Sequence, residues 1–153
     1  MKKLTHYAVP VARILLGGMF VFSGLNGFFN FMPMEPPQGA AGQFMGGLAA
    51  AGYFFPLLKG TETLVGLALL VGRFVPLALT VLAPIMVNIV GFHLFVVPQG
   101  IGMAIGLALT QLFLAWAYRD AFVGVLSPKA RPSNQRREAA SRAVQKHAME
   151  GIS

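Results

Sequence analysis

No cysteine occurs in this sequence, so the chain supplies no disulfide, no dithiol redox chemistry and no thiolate metal ligand. Acidic residues are scarce. Five Asp and Glu stand against twelve Lys and Arg, and charged residues make up only 11% of the chain. The three histidines, His6, His93 and His147, are far apart in sequence and belong to no ligand cluster, so no metal site is expected. There is no glycine-rich phosphate loop in a strand–loop–helix setting and no nucleophile triad. The sequence carries no self-contained catalytic motif.

What the chain does hold is apolar surface. Hydrophobic residues make up 56%, and the mean hydropathy is +0.66. A soluble globule of this size hides only about 70% of the surface its unfolded chain exposes. A bilayer removes that constraint by solvating the outside. Four runs account for most of the chain, at Tyr7–Met32, Phe54–Gly72, Phe74–Val97 and Ile101–Tyr118. At ~1.5 Å per residue each is about long enough to cross a hydrocarbon core of ~30 Å. The expected fold is all-α, a four-helix transmembrane bundle over residues 1–126 followed by a basic cytoplasmic tail over 127–153.

Charge placement sets the expected orientation. Lys2 and Lys3 precede the first run, and the first loop, Pro33–Tyr53, holds Glu35 and no Lys or Arg. Arg73 sits in the second connection, Pro98–Gly100 is uncharged, and six of the twelve basic residues lie in the tail. The positive-inside rule then puts both termini of a multi-pass protein in the cytoplasm. The tail beside a membrane accounts for the high isoelectric point through anionic lipid, with no nucleic-acid partner. The first run is too long for a cleaved signal peptide and reads as a retained helix. Within the first loop, Gln43–Ala51 reads as a short helix on the outer surface.

Proline and small residues punctuate the runs. Pro10, Pro56 and Pro76 fall near run starts, where a missing N–H costs little. Pro84 lies mid-run and predicts a kink. Ser23-x-x-x-Gly27 and Gly102-x-x-x-Gly106 place small residues one turn apart, as helix-packing surfaces often do.

The polar residues inside the runs are the candidate site. Glu62 falls near the middle of its run and Lys59 about 5 Å nearer the outer side, at ~1.5 Å per residue. Charge there is expensive, so the pair is expected either to lock helices together or to handle protons or a ligand. Asn26, Asn88 and His93 share the same outer half and complete the candidate polar site. Asn26 and Asn88 could equally tie helices together, and His93 could simply bond at the interface. His93 and Asn88 are about 140° apart on a straight helix, so both face inward only if the Pro84 kink rotates one. Arg13 lies on the inner side as an anchor, with Asp120 as its expected counter-ion.

The segments ARILLGGMFVFSGLNGFFNF (Ala12–Phe31), LLKGTETLVGLALLVGRFVPLAL (Leu57–Leu79) and LAPIMVNIVGFHLFVVPQG (Leu82–Gly100) resemble the DoxX-like family of small bacterial membrane proteins. The marks are Arg13, the step Ser23-Gly24-Leu25, and Glu62 followed by Gly66. Many members carry a lysine soon after the Ser-Gly step; here Asn26-Gly27 occupies that place, and Lys59 is the membrane lysine. The resemblance implies a four-helix bundle in a bacterial inner membrane, in a family that includes subunits of membrane redox systems. With the outward polar cluster it leads to the expectation of an accessory redox subunit that holds a quinone or other small molecule in the outer half. A redox partner protein and self-association into a homo-oligomer are the partners considered. A small proton-coupled transporter titrating at Glu62 and a non-catalytic membrane scaffold are the alternatives.

Overall fold

The computed structural model describes residues 2–33, 35–123, 145 and 149. Five α-helices form: α1 (Lys2–Phe29), α2 (Gly39–Ala50), α3 (Phe54–Val71), α4 (Val75–Phe95) and α5 (Ile101–Ala117), with single 3₁₀ turns at Pro98–Gly100 and Arg119–Phe122. Four stretches are long and apolar enough to cross a membrane: Tyr7–Phe29, Phe54–Val71, Val75–Phe95 and Pro98–Ala117. They match the four apolar runs of the sequence to within a few residues at each end. α2 is the short helix expected in the first loop. It begins at Gly39, four residues earlier than the sequence pattern suggested.

The chain divides into two compact units, residues 1–119 and 120–153. The first holds all five helices. The second opens at Asp120, and most of the basic tail falls outside the described residues. The division lies seven residues before the boundary expected at 126.

Within the first unit the long helices pack as a ring, α1 against α3, α3 against α4, α4 against α5, and α5 back against α1. The core is a column of aliphatic side chains. Leu16 and Phe20 come from α1, Val65 and Leu69 from α3, Leu79, Leu82 and Met86 from α4, and Ala104 and Leu114 from α5. Large side chains such as Leu64, Val87, Phe95 and Leu112 point outward. In water that surface would drive aggregation; against lipid chains it is solvated.

Local chemistry explains where the helices stop. α1 ends at Asn30, which takes a left-handed conformation (φ 47°) and returns its N–H to the Asn26 carbonyl. Asparagine tolerates that region better than most residues. α3 ends at Gly72 (φ 76°), with Gly72 N–H bonded to Leu69 O and Arg73 N–H to Ala68 O. This double closure requires a left-handed residue, which glycine adopts at no steric cost. Pro56 and Pro76 sit in the first turns of α3 and α4. Pro10, expected at a helix start, instead lies inside α1, because the helix begins in the polar segment before the apolar run. α4 continues as one helix through Pro84.

Candidate functional site

α1 and α3 approach each other through glycine. A Cβ on Gly66 would come within 2.7 Å of the Gly17 carbonyl oxygen and the Val21 nitrogen, and one on Gly17 within 2.9 Å of Gly66 O. A Cβ on Gly24 would meet Lys59 O at 2.7 Å. No side chain fits between the two backbones, so only hydrogen at these positions permits the contact. The seam places short α1 side chains directly over α3.

The seam brings three polar groups into mutual contact. Lys59 Nζ lies 2.8 Å from Glu62 Oε2 and donates to Ser23 Oγ at 3.0 Å. Ser23 Oγ in turn donates to the same Glu62 Oε2 at 2.9 Å. Glu62 is only 4% exposed, while the Lys59 side chain keeps 22% of its surface open. The i,i+3 spacing on α3 puts the two charges on one face, and the glycines of α1 let Ser23 reach both. Gly27 completes the arrangement, since a Cβ there would occupy the space of the Lys59 Cγ and Cδ methylenes. Gly27 thus leaves room for the Lys59 stem, and Ser23 bonds both charged groups.

The cluster keeps capacity for a further partner. An ammonium has three N–H donors, and two of the Lys59 donors are used. Glu62 Oε2 accepts both of its bonds, and among the described residues no donor meets Oε1. One Lys59 N–H and Glu62 Oε1 therefore keep hydrogen-bonding capacity, and the lysine stays partly open.

The other candidate polar residues are satisfied within their own chain segments. Asn26 Oδ1 accepts the Met32 N–H at 2.7 Å, and its Nδ2 donates to Met32 O at 3.1 Å. It closes the chain after α1. Asn88 Nδ2 donates back to Pro84 O one turn earlier, at 3.0 Å, and the residue is exposed. His93 Nδ1 lies 3.2 Å from Val97 O, with its ring against Gly100, where a Cβ would collide with it. His93 holds the end of α4 to the following turn. The structure thus joins Lys59 and Glu62 to Ser23, and does not bring Asn26, Asn88 or His93 to them.

Gly102 and Gly106 also differ from expectation. A Cβ on either would enter open space. α5 instead turns Ala104, Gln111 and Leu114 inward. Gln111, which the sequence reading did not single out, is buried and donates to Leu79 O of α4 at 3.1 Å. Its signal was present: Gln111 stands seven residues after Ala104 and three before Leu114, the spacing of a core-facing stripe.

Arg13 lies at the opposite end of the bundle from the cluster. Its guanidinium packs on Gly72 at the end of α3, and its Nη1 approaches the Tyr118 hydroxyl at 3.4 Å. Asp120, the expected counter-ion, belongs to the second unit. The first unit has two carboxylates, Glu35 and Glu62, and neither bonds Arg13.

A separate apolar recess of about 220 Å³ lies between α3 and α4, lined by Phe54, Leu57, Leu58, Thr61, Val81 and Ile85. Thr61 and Lys59 are ~200° apart around α3, so the charged cluster does not line this recess. Among the described residues no group of three or more His, Asp or Glu could hold a metal ion.

Comparison with protein families matches residues 8–99 to the model described as DoxX. The match runs from the start of the first membrane span to the turn before α5, more than half of the chain. It contains Ser23, Lys59 and Glu62. Comparisons with curated proteins and with solved structures find no match.

Proposed function

From a chain that belongs to the DoxX family, we propose an accessory subunit of a membrane redox system that holds a quinone head group at the Ser23–Lys59–Glu62 cluster. The observation that carries this reading is the spare hydrogen-bonding capacity of the cluster, one Lys59 N–H and Glu62 Oε1, beside a lysine that is 22% exposed. These are the complementary groups that a carbonyl and a hydroxyl require. A bound quinone would supply two-electron chemistry, with the electrons delivered by a redox partner protein.

Lys59 would donate its third N–H to a carbonyl oxygen and stabilise negative charge growing there. That interaction strengthens in a low-dielectric site already preorganised by Ser23 and Glu62. Glu62 would accept the hydroxyl proton of the reduced form through Oε1. Ser23 would hold Glu62 Oε2 and Lys59 Nζ in register throughout. We place the protein in a bacterial inner membrane with both termini cytoplasmic, as the distribution of Lys and Arg favours. In that orientation the cluster lies in the outer half.

The test is the quinone retained by protein purified in mild detergent. Wild type is expected to carry quinone. Lys59→Met and Glu62→Gln are expected to lose most of it, while His93→Ala keeps it. Quinone retained equally by all four would remove the proposal and leave the cluster as a lock between α1 and α3.

A further inference from the structure

Arg13 raises a different question, because it is a cation inside a membrane span and neither described carboxylate of the first unit, Glu35 or Glu62, bonds it. It lies six residues into the span that begins at Tyr7, about 9 Å along the helix at ~1.5 Å per residue. Its one bond is the long approach to the Tyr118 hydroxyl at 3.4 Å, and its Nε is buried without a partner. A guanidinium has five N–H donors and cannot shed its charge, so most of its capacity is unused. The negative end of the α3 dipole at Gly72 offsets part of the charge. It offers no bond to the remaining donors. Two further features converge at this end. Arg73 follows Gly72 directly and is exposed, and Tyr118 caps α5.

We propose that Arg13, Arg73 and Tyr118 form a binding site for a phosphate oxyanion at this end of the bundle, with the phosphodiester of an anionic lipid as its natural source. A planar guanidinium matches the paired oxygens of a phosphate, which a lysine would meet only as a point charge. Its stem is long enough to extend toward the head-group layer. Tyr118 orients the guanidinium through Nη1 and leaves Nη2 for the anion. Arg73 supplies the second positive charge from the neighbouring turn. The Ser23–Lys59–Glu62 cluster takes no part, so this site stands whether or not a quinone binds there.

The test measures lipid retention by native mass spectrometry on the full chain, purified from vesicles of equal parts phosphatidylcholine and phosphatidylglycerol. Wild type is expected to retain phosphatidylglycerol preferentially. Arg13→Gln is expected to lower that preference about fivefold, the effect of one basic residue at an anionic surface. If Arg13→Gln fails to fold, the double variant Arg73→Gln/Tyr118→Phe, which changes an exposed arginine and removes one hydroxyl from a half-buried tyrosine, is expected to lower it as well. In phosphatidylcholine alone, inorganic phosphate is expected to leave the melting temperature unchanged. A rise that depends on Arg13 would uphold the oxyanion site and identify soluble phosphate as its source. Equal phosphatidylglycerol retention by wild type and every folded variant, with no effect of phosphate, would overturn the proposal.

Discussion

The α1–α3 seam and the exposed faces of α4 and α5 handle intramembrane polar groups in opposite ways. On α4 and α5, Thr80, Asn88 and Thr110 each bond a carbonyl four residues earlier on their own helix. Such back-bonding satisfies a polar side chain without reference to any neighbour. Between α1 and α3, Ser23, Lys59 and Glu62 bond one another across the helices. The glycines cause the difference. Gly17, Gly24 and Gly66 bring those backbones together, whereas Gly102 and Gly106 of α5 face open space. Polar residues in membrane helices become a candidate site where charged groups bond one another across a seam and keep a donor and an acceptor to spare.

The contrast is broken most forcefully at Gly66. Gly66→Val puts atoms where Gly17 O and Val21 already are, and is expected to destabilise the bundle by about 3 kcal/mol, the upper part of the overpacking range. Gly106→Val, with open space around it, should stay within ~0.5 kcal/mol. Unfolding midpoints in detergent compare the two directly, and equal losses would show that the glycine seam has no special standing.

The next largest effect lies in the charges. Lys59→Met leaves Glu62 buried and without its cation. It is expected to cost ~2–3 kcal/mol, less than breaking a fully buried pair because the Lys59 side chain is 22% exposed. The double variant Lys59→Met/Glu62→Gln should be more stable than Lys59→Met alone, since removing both charges also removes the burial penalty. A double variant clearly less stable than wild type would mean that the pair is net stabilising rather than retained for what it binds.

Smaller effects belong to α4 and α5. Gln111→Leu removes one interhelical bond to Leu79 O and also an amide oxygen that is buried without a partner. The two losses oppose each other, and the net cost should be at most ~1 kcal/mol. Asn88→Ala, at an exposed back-bonded position, should fall within ~0.5 kcal/mol and leave bound quinone unchanged. A large loss at Asn88 would place a partner on that face.

These distinctions were only partly legible in the sequence. The four spans were, because length and hydropathy alone decide whether a helix can cross. Lys59 and Glu62 were, because charge in an apolar run is conspicuous and i,i+3 spacing fixes their common face. The roles of Asn26, Asn88 and His93 were not. Whether such a side chain bonds its own segment or a neighbour depends on rotamer and helix rotation, which spacing does not specify. The same holds for the small-residue pairs. Ser23-x-x-x-Gly27 and Gly102-x-x-x-Gly106 read alike, yet the first faces α3, while α5 is rotated by its Ala104–Gln111–Leu114 stripe so that the second faces away.

Photolabelling with a quinone carrying a reactive group on its ring, applied to the full chain in lipid nanodiscs, tests the central claim most directly. The cluster as ligand site requires label on the segments around Ser23 of α1 and Leu57–Glu62 of α3, and its disappearance in Glu62→Gln. Label concentrated on α4 or α5, or unchanged by Glu62→Gln, would contradict it.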